Sequence, residues 1–201
     1  SRKVEKTYIV EHLDPELEEW SSLEYAAIAR ESYAAGAKFC LSSVPKELRL
    51  PRALQEAKGL HVEHESVEAL YADMKQTVCL LDPAATKELS PGDGDSFNVF
   101  LFGGILDRTA ELRKKGFEGR RLGPVQMTTD TAVRVTRIVV QDRIPLEEIP
   151  YVDHPEIKID EHESTEMPFR YVKDKNSQPI FPEGMIDLIK KDSERGIGDL
   201  L

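Results

Sequence analysis

Thr7-Tyr8-Ile9-Val10-Glu11 and Lys38-Phe39-Cys40-Leu41-Ser42 enclose a helical stretch, and this strand, helix, strand order across residues 7–42 decides the fold class. Both runs are short and apolar with β-branched or aromatic members, the pattern of buried strands. Between them, Asp14-Pro15-Glu16 reads as a helix start: a candidate cap, a proline in the first turn and acids that suit the helix dipole. An apolar stripe of Leu17, Trp20, Leu23, Ala27 and Ile28 carries the helix to Ala35, and Gly36 stops it. Working outward, the chain offers a short helix at Pro51–Gln55, a weak strand at Leu60-His61-Val62 and a helix from Val67 to Met74. The strand Val78-Cys79-Leu80-Leu81-Asp82 follows, and then Phe97–Phe102, which ends at Gly103-Gly104. Alternation of this kind predicts an α/β fold with a mainly parallel sheet flanked by helices, whose ligands bind at the carboxyl ends of strands. Glu11-His12, Asp82 and Gly103-Gly104 stand at such ends.

Two stretches place small or hydroxylated residues where backbone must lie bare: Phe102-Gly103-Gly104-Ile105-Leu106, and Arg120 through Leu122-Gly123-Pro124 to Met127-Thr128-Thr129-Asp130-Thr131-Ala132. Glycine admits positive φ and close approach to main-chain N–H and C=O groups. The second stretch runs into a predicted helix at Ala132–Val140, which Thr or Asp would cap. Taken alone, the pair reads more simply as a strand-to-turn connection and a capped helix with no ligand. The last fifty residues change character, with proline-punctuated extended segments at Tyr151–Pro155 and Pro168–Val172 and a short terminal helix at Pro182–Lys191. Residues 7–201 are read as one domain with an extended C-terminal segment from about 145 to 201, and no element is assigned to residues 1–6.

A chain of 201 residues, 40% hydrophobic and 32% charged, has room for a sizeable core and one active site. Its net charge of −10 opposes a broad phosphate-binding surface and suits a basic partner. Arg113-Lys114-Lys115 and Arg120-Arg121 are local exceptions, the first read as a solvated helix face. Cys40 and Cys79 each lie inside an apolar run, where cysteine acts as a small buried hydrophobe, and no spacing suggests a metal. With no apolar stretch near the ~20 residues that a membrane span needs, the expectation is a soluble, cytoplasmic protein with reduced thiols.

Segments in order along nearly the whole chain carry a resemblance. They include Ile9-Val10-Glu11-His12, Leu23-Glu24-Tyr25, Leu80-Leu81-Asp82-Pro83, Phe102–Leu106, Asp107-Arg108-Thr109, Arg121-Leu122-Gly123, Gln126–Ala132, Thr165-Glu166-Met167-Pro168-Phe169-Arg170-Tyr171 and Pro182-Glu183-Gly184-Met185. In these the chain resembles the SPOUT-class methyltransferases, and within that class the fungal-type enzymes that methylate an arginine of a small-subunit ribosomal protein. The resemblance implies a SPOUT fold with a deep C-terminal trefoil knot and S-adenosylmethionine as cofactor, leaving as S-adenosylhomocysteine. It places the cofactor on three loops: Leu81, Asp82 and Pro83; Phe102, Gly103, Gly104 and Leu106; and Arg121, Leu122, Gly123, Met127, Thr128, Thr129 and Ala132. It also implies a monomer acting on a basic ribosomal protein, without stable nucleic-acid binding. One departure concerns the acceptor side. Relatives carry a longer loop between the Gly-Gly-Ile-Leu and Asp-Arg-Thr motifs, whereas here Leu106 meets Asp107 directly.

Methylating arginine demands alignment and charge management, because the guanidinium is always protonated near neutrality and its lone pairs are delocalised. Carboxylates answer both needs, pairing with the N–H fork and accepting the released proton. Glu11, Glu19, Glu24, Asp82, Asp130 and Glu166 are the candidates, Glu11 and Glu166 foremost, with His12 as a proton shuttle; Glu19, Glu24 and Asp130 read more simply as capping or solvated acids. Trp20 and Tyr25 either wall an arginine pocket or pack in the core. Two rival functions stay open: a tRNA or rRNA methyltransferase using the basic groups, and a cofactor-binding ribosome-assembly factor without turnover.

Overall fold

The computed structural model describes residues 5–103 and 106–200, of which 106, 107 and 195–200 by backbone alone. In chain order the elements are β1 (Thr7–Glu11), α1 (Glu19–Ala34), β2 (Lys38–Ser42), α2 (Arg52–Gln55), β3 (Leu60–Val62), α3 (Val67–Leu70), β4 (Val78–Leu81), α4 (Asp93–Ser96) and β5 (Val99–Phe102). Then follow α5 (Leu106–Lys114), β6 (Glu118–Arg120), α6 (Thr129–Val140), β7 (Tyr151–Asp153), β8 (Glu156–Lys158), β9 (Ser164–Glu166), β10 (Arg170–Val172) and α7 (Met185–Leu200). Six strands form one parallel sheet in the order β3-β2-β1-β5-β4-β6.

Central strands of such a sheet are covered on both faces, which is why they read as continuous apolar runs. Side chains alternate all the same. Tyr8 and Val10 of β1, Cys79 and Leu81 of β4, and Phe100 and Phe102 of β5 enter a large core shared with Tyr25 and Ile28 of α1 and Val133 and Val135 of α6. Ile9, Val78, Leu80, Val99 and Leu101 enter a smaller core on the other face, with Val67 and Leu112. Cys40 and Cys79 are free and buried, and burial pushes both thiols up to about 12. Strand order reverses between β1 and β5, because the chain builds outward through β2 and β3 on one side and through β4 and β6 on the other. That reversal opens a crevice at the carboxyl ends of the strands.

Several boundaries differ from the sequence reading. The first helix starts at Glu19 rather than at Asp14–Glu16, because the stretch after β1 folds back on itself: the His12 ring donates to the Glu16 carbonyl, 3.1 Å away. The helix predicted from Val67 to Met74 ends at Leu70 and gives way to a 3-10 turn at Lys75–Thr77. The strand expected from Phe97 begins at Val99. β6 went unread because Glu118-Gly119-Arg120 is polar, as befits the sheet edge, and a Cβ at Gly119 would stand 3.3 Å from that of Ala85. The extended C-terminal segments become two antiparallel pairs, β7 with β10 and β8 with β9, and the last helix runs to Leu200. Met167, Tyr171, Met185 and Leu188 form a third cluster, against which Trp20 and Leu23 pack.

Candidate active site

A cavity of about 800 Å³ opens at the carboxyl ends of β1, β4 and β5. Its volume lies in the range of pockets that enclose small ligands. Of the predicted cofactor residues, Leu81, Asp82 and Pro83 line it after β4, Phe102 and Gly103 after β5, and Leu122, Gly123, Met127, Thr128, Thr129 and Ala132 from the loop into α6. Gly104 lies outside the described residues, and Leu106 is described by its backbone alone. Arg121 is not part of the wall: its guanidinium is turned onto Glu88, with Nε 2.7 Å from Oε1.

The loop that precedes α6 is pinned at both ends. Gly123, with φ of 84°, donates its N–H to Glu88 Oε2 at 2.8 Å. At the other end Met127 bridges to Arg170 of β10, whose N–H donates to the Gln126 carbonyl at 2.8 Å. Asp82 is spent on structure. Its carboxylate takes Arg113 through Nε at 2.5 Å and Nη2 at 2.7 Å, and it also accepts from the Ala84 N–H. The Arg113 guanidinium therefore holds Asp82 below the usual carboxylate range.

Gly103 is the tightest point of the cradle. A Cβ there would stand 2.5 Å from Thr109 Oγ1 and 2.7 Å from its backbone nitrogen, so any side chain must displace α5. Overpacking of this kind costs about 1–3 kcal/mol. Gly103→Ala is accordingly expected to weaken cofactor binding at least tenfold, read by calorimetric titration with S-adenosylmethionine. An unchanged affinity would show that the strand end does not shape the cavity.

Of the proposed catalytic groups, three line the cavity. Glu11 closes β1, is 4% exposed, and accepts on Oε1 from Ser42 Oγ at 2.7 Å, Ser43 Oγ at 2.8 Å and the Val67 N–H at 3.0 Å. His12 is committed at both ring nitrogens. A carbonyl can only accept, so Nε2 carries the proton given to Glu16, and Nδ1 accepts from the Tyr25 hydroxyl at 2.8 Å. Its surroundings thus fit an anchor for the loop after β1 better than a shuttle. Tyr25 does both: it is buried in the large core and also lines the cavity, as Trp20 and Phe169 do.

Glu24, on α1, supplies what α6 lacks. Thr128 stands at the N-cap position of α6 without capping it, because its hydroxyl donates to Asp130 Oδ1 at 2.8 Å. Glu24 Oε2 instead accepts the Asp130 N–H at 3.3 Å, a cap borrowed across 106 residues. The two carboxyls also hydrogen-bond to each other, and Arg134 joins the group, with Nη1 3.3 Å from Asp130 Oδ2. Burial foremost, and then the Asp130 charge, raise Glu24 to about 8. Its role as a cap was not legible locally; only its presence in a Leu-Glu-Tyr segment pointed to it.

Glu166 is elsewhere. It is exposed on β9, opposite Glu156 in the hairpin, and is not among the cavity-lining residues. A short solvent-facing hairpin cannot bring it to the strand ends that form the site. The sequence reading passed over Arg108 and Phe169 as site residues, although both stood in quoted motifs. Arg108 lines the cavity, 3.7 Å from Asp14 and 3.5 Å from Glu111. No group of three or more His, Cys, Asp or Glu side chains able to hold a metal occurs among the described residues.

A family model described as protein arginine N-methyltransferase SFM1-like matches residues 7–196. The protein arginine N-methyltransferase SFM1 of Saccharomyces cerevisiae is 44% identical over 215 residues, covering 96% of this chain and 99% of the relative. That alignment is longer than the part of this chain it covers, so the relative has residues without counterpart here, in keeping with a short Leu106-Asp107 junction. The crystal structure of the yeast arginine methyltransferase SFM1 with SAM superposes with a TM-score of 0.85 at 44% identity, covering 94% of this chain and 92% of the other. The SAH complex gives 0.81 at 43% identity, covering 91% and 94%.

Proposed function

Since the chain belongs to the SFM1-like family of protein arginine N-methyltransferases, we propose that its substrate is an arginine in a basic small-subunit ribosomal protein, methylated in the cytoplasm by a monomeric enzyme. The fold is of SPOUT type and the cofactor is S-adenosylmethionine, with S-adenosylhomocysteine as product. Two further inferences accompany this reading: residues 7–201 act as one domain, and the chain after β6 is tied in the family's trefoil knot, to which the parallel order β1-β5-β4-β6 is suited.

The cavity fits the cofactor. Leu81, Leu122, Pro124 and Ala132 offer an apolar wall for a purine, and the ends of β4 and β5 and the loop at Gly123 offer backbone groups for its polar ends. When bound, S-adenosylmethionine supplies an electrophilic methyl group on a sulfonium centre. This chain's residues must then hold a guanidinium, orient one nitrogen and take up its proton. Glu11, with Oε1 fixed by three donors, is suited to receive the N–H fork on its other oxygen. Glu24, raised to about 8, is suited to accept the proton, because a base works best with a pKa near the operating pH. Trp20 and Phe169 add flat surfaces on which a guanidinium stacks.

The observation that carries the reading is the meeting of two differently prepared carboxyls, Glu11 and Glu24, in one cavity with the glycine-ended strand β5. A second observation weighs against RNA. Arg113 is paired with Asp82, Lys115 with Glu68, Arg120 with Asp93 and Glu118, and Arg121 with Glu88, so most of the basic cluster is neutralised within the fold. Incubation with methyl-labelled S-adenosylmethionine and ribosomal subunits, followed by separate protease and nuclease digestion, tests the proposal. Label that survives nuclease and yields methylarginine after hydrolysis is the expected outcome. Label lost only to nuclease, or no transfer at all, overturns it in favour of an RNA enzyme or a non-catalytic assembly factor.

A further inference from the structure

Glu11 ends β1 beside its register partner Ser42, and the chain turns at once through Ser43. The Ser43 φ of 55° lies in the left-handed region, which residues with a Cβ rarely adopt. The turn is held from outside the strand, with the Ser43 N–H donating to the Glu65 carbonyl at 2.8 Å and the Val44 N–H to that of Glu63 at 3.0 Å. Glycine would take this turn without steric penalty. What serine adds is a hydroxyl aimed at Glu11.

Three donors from three places, the Ser42 and Ser43 hydroxyls and the Val67 N–H, converge on the single oxygen Oε1. Oε2 has no donor among the described residues, and it is not one of the polar atoms sealed in the interior without a partner. Asp82, by contrast, has donors on both oxygens, from Arg113 and the Ala84 N–H. Glu11 instead is gripped by one oxygen at the wall of the cavity. Strained backbone of this kind persists where the surrounding structure enforces it, and it gathers at functional sites.

We propose that Ser42, Ser43 and the Val67 N–H form a clamp that fixes one oxygen of Glu11 so that the other is presented to the substrate guanidinium. Ser42 and Ser43 are thus positioning residues for the methyl acceptor, acting through Glu11. The proposal rests on the reading of Glu11 as the guanidinium receptor. Its Val67 arm comes from the N-terminal turn of α3, so the clamp ties β1, β2 and α3 together at the acceptor side.

Steady-state kinetics of the full chain, with S-adenosylmethionine and a basic arginine-containing peptide, test the clamp in Ser43→Gly, Ser42→Ala and Ser42→Thr. Ser43→Gly is expected to melt at or above the wild-type temperature, because the left-handed turn is relieved, yet to raise the peptide KM about tenfold through the lost hydrogen bond. Its kcat and its affinity for S-adenosylmethionine stay within about threefold. Ser42→Ala raises the peptide KM likewise, and Ser42→Thr, which keeps the hydroxyl on a strand, restores it. A peptide KM within twofold of wild type in Ser43→Gly and Ser42→Ala overturns the clamp, as does a KM rise matched by an equal loss of cofactor affinity. Glu11→Gln separates the two levels. If that variant leaves the peptide KM unchanged, the reading of Glu11 has failed; if it raises KM while the serine variants do not, the clamp alone has failed.

Discussion

Glu24→Gln is expected to lower kcat by a factor of about 10²–10⁴, the usual worth of a positioned general base, while leaving cofactor affinity intact. Glutamine reproduces the protonated carboxyl: its carbonyl oxygen still accepts the Asp130 N–H, and its amide still donates to the Asp130 carboxylate. The helix α6 therefore keeps its borrowed cap. In the wild-type enzyme kcat/KM should climb as pH rises through about 8, because only deprotonated Glu24 accepts a proton, and the variant should lack that limb. Stability moves the opposite way. Between the ordinary value of 4.5 and about 8 the folded chain holds a proton that the unfolded chain has released, so wild-type stability falls across that window. Above it Glu24→Gln should melt higher than wild type, by roughly 2–4 °C per kcal/mol of relieved charge burial. A variant that retains more than a tenth of wild-type turnover, or that keeps the alkaline rise, removes Glu24 from the proton path.

Glu11→Gln is expected to cut kcat/KM for an arginine peptide by about 10² or more, the scale on which a buried charge pair is lost when one partner changes. Glutamine can still present an oxygen to Ser42, Ser43 and the Val67 N–H, so the strand end keeps its contacts. Its amide then meets the guanidinium with donors facing donors. Glu11→Ala should do more harm to folding, since it strands three donors, two hydroxyls and an N–H, at a site where Glu11 itself is only 4% exposed. Calorimetric titration with S-adenosylmethionine beside peptide kinetics checks the distinction. Loss of cofactor affinity equal to the loss in kcat/KM would place Glu11 in the framework of the cavity instead of at the acceptor.

Local pattern revealed the strands well. β1 and β2 fall where the runs at 7–11 and 38–42 placed them, because a strand buried on both faces announces itself by near-continuous apolar residues, and the short edge strand β3 also falls at 60–62. It failed where the element is held by something other than its own pattern. β6 is polar because it is an edge, and α6 begins at Thr129, ahead of the Ala132 start read from its apolar run, because Glu24 caps it from another helix. α1 begins late because the residues before it are drawn into the cavity wall, with Leu13 and Asp14 lining it.

The candidate site divides along the same line. By itself the sequence determined the parallel α/β class, the strand ends that bear Glu11, Leu81 and Gly103, and the small and hydroxylated loop from Leu122 to Ala132, since each is a matter of residue type and short spacing. Only the tertiary structure decided which acids share the cavity. It joined Glu24 to Asp130 across 106 residues, spent Asp82 on Arg113 across 31, and left Glu166 on an exposed hairpin. A carboxyl's proton affinity and its free valence depend on burial and on neighbours that lie close in space but far apart along the chain, and no local pattern encodes either.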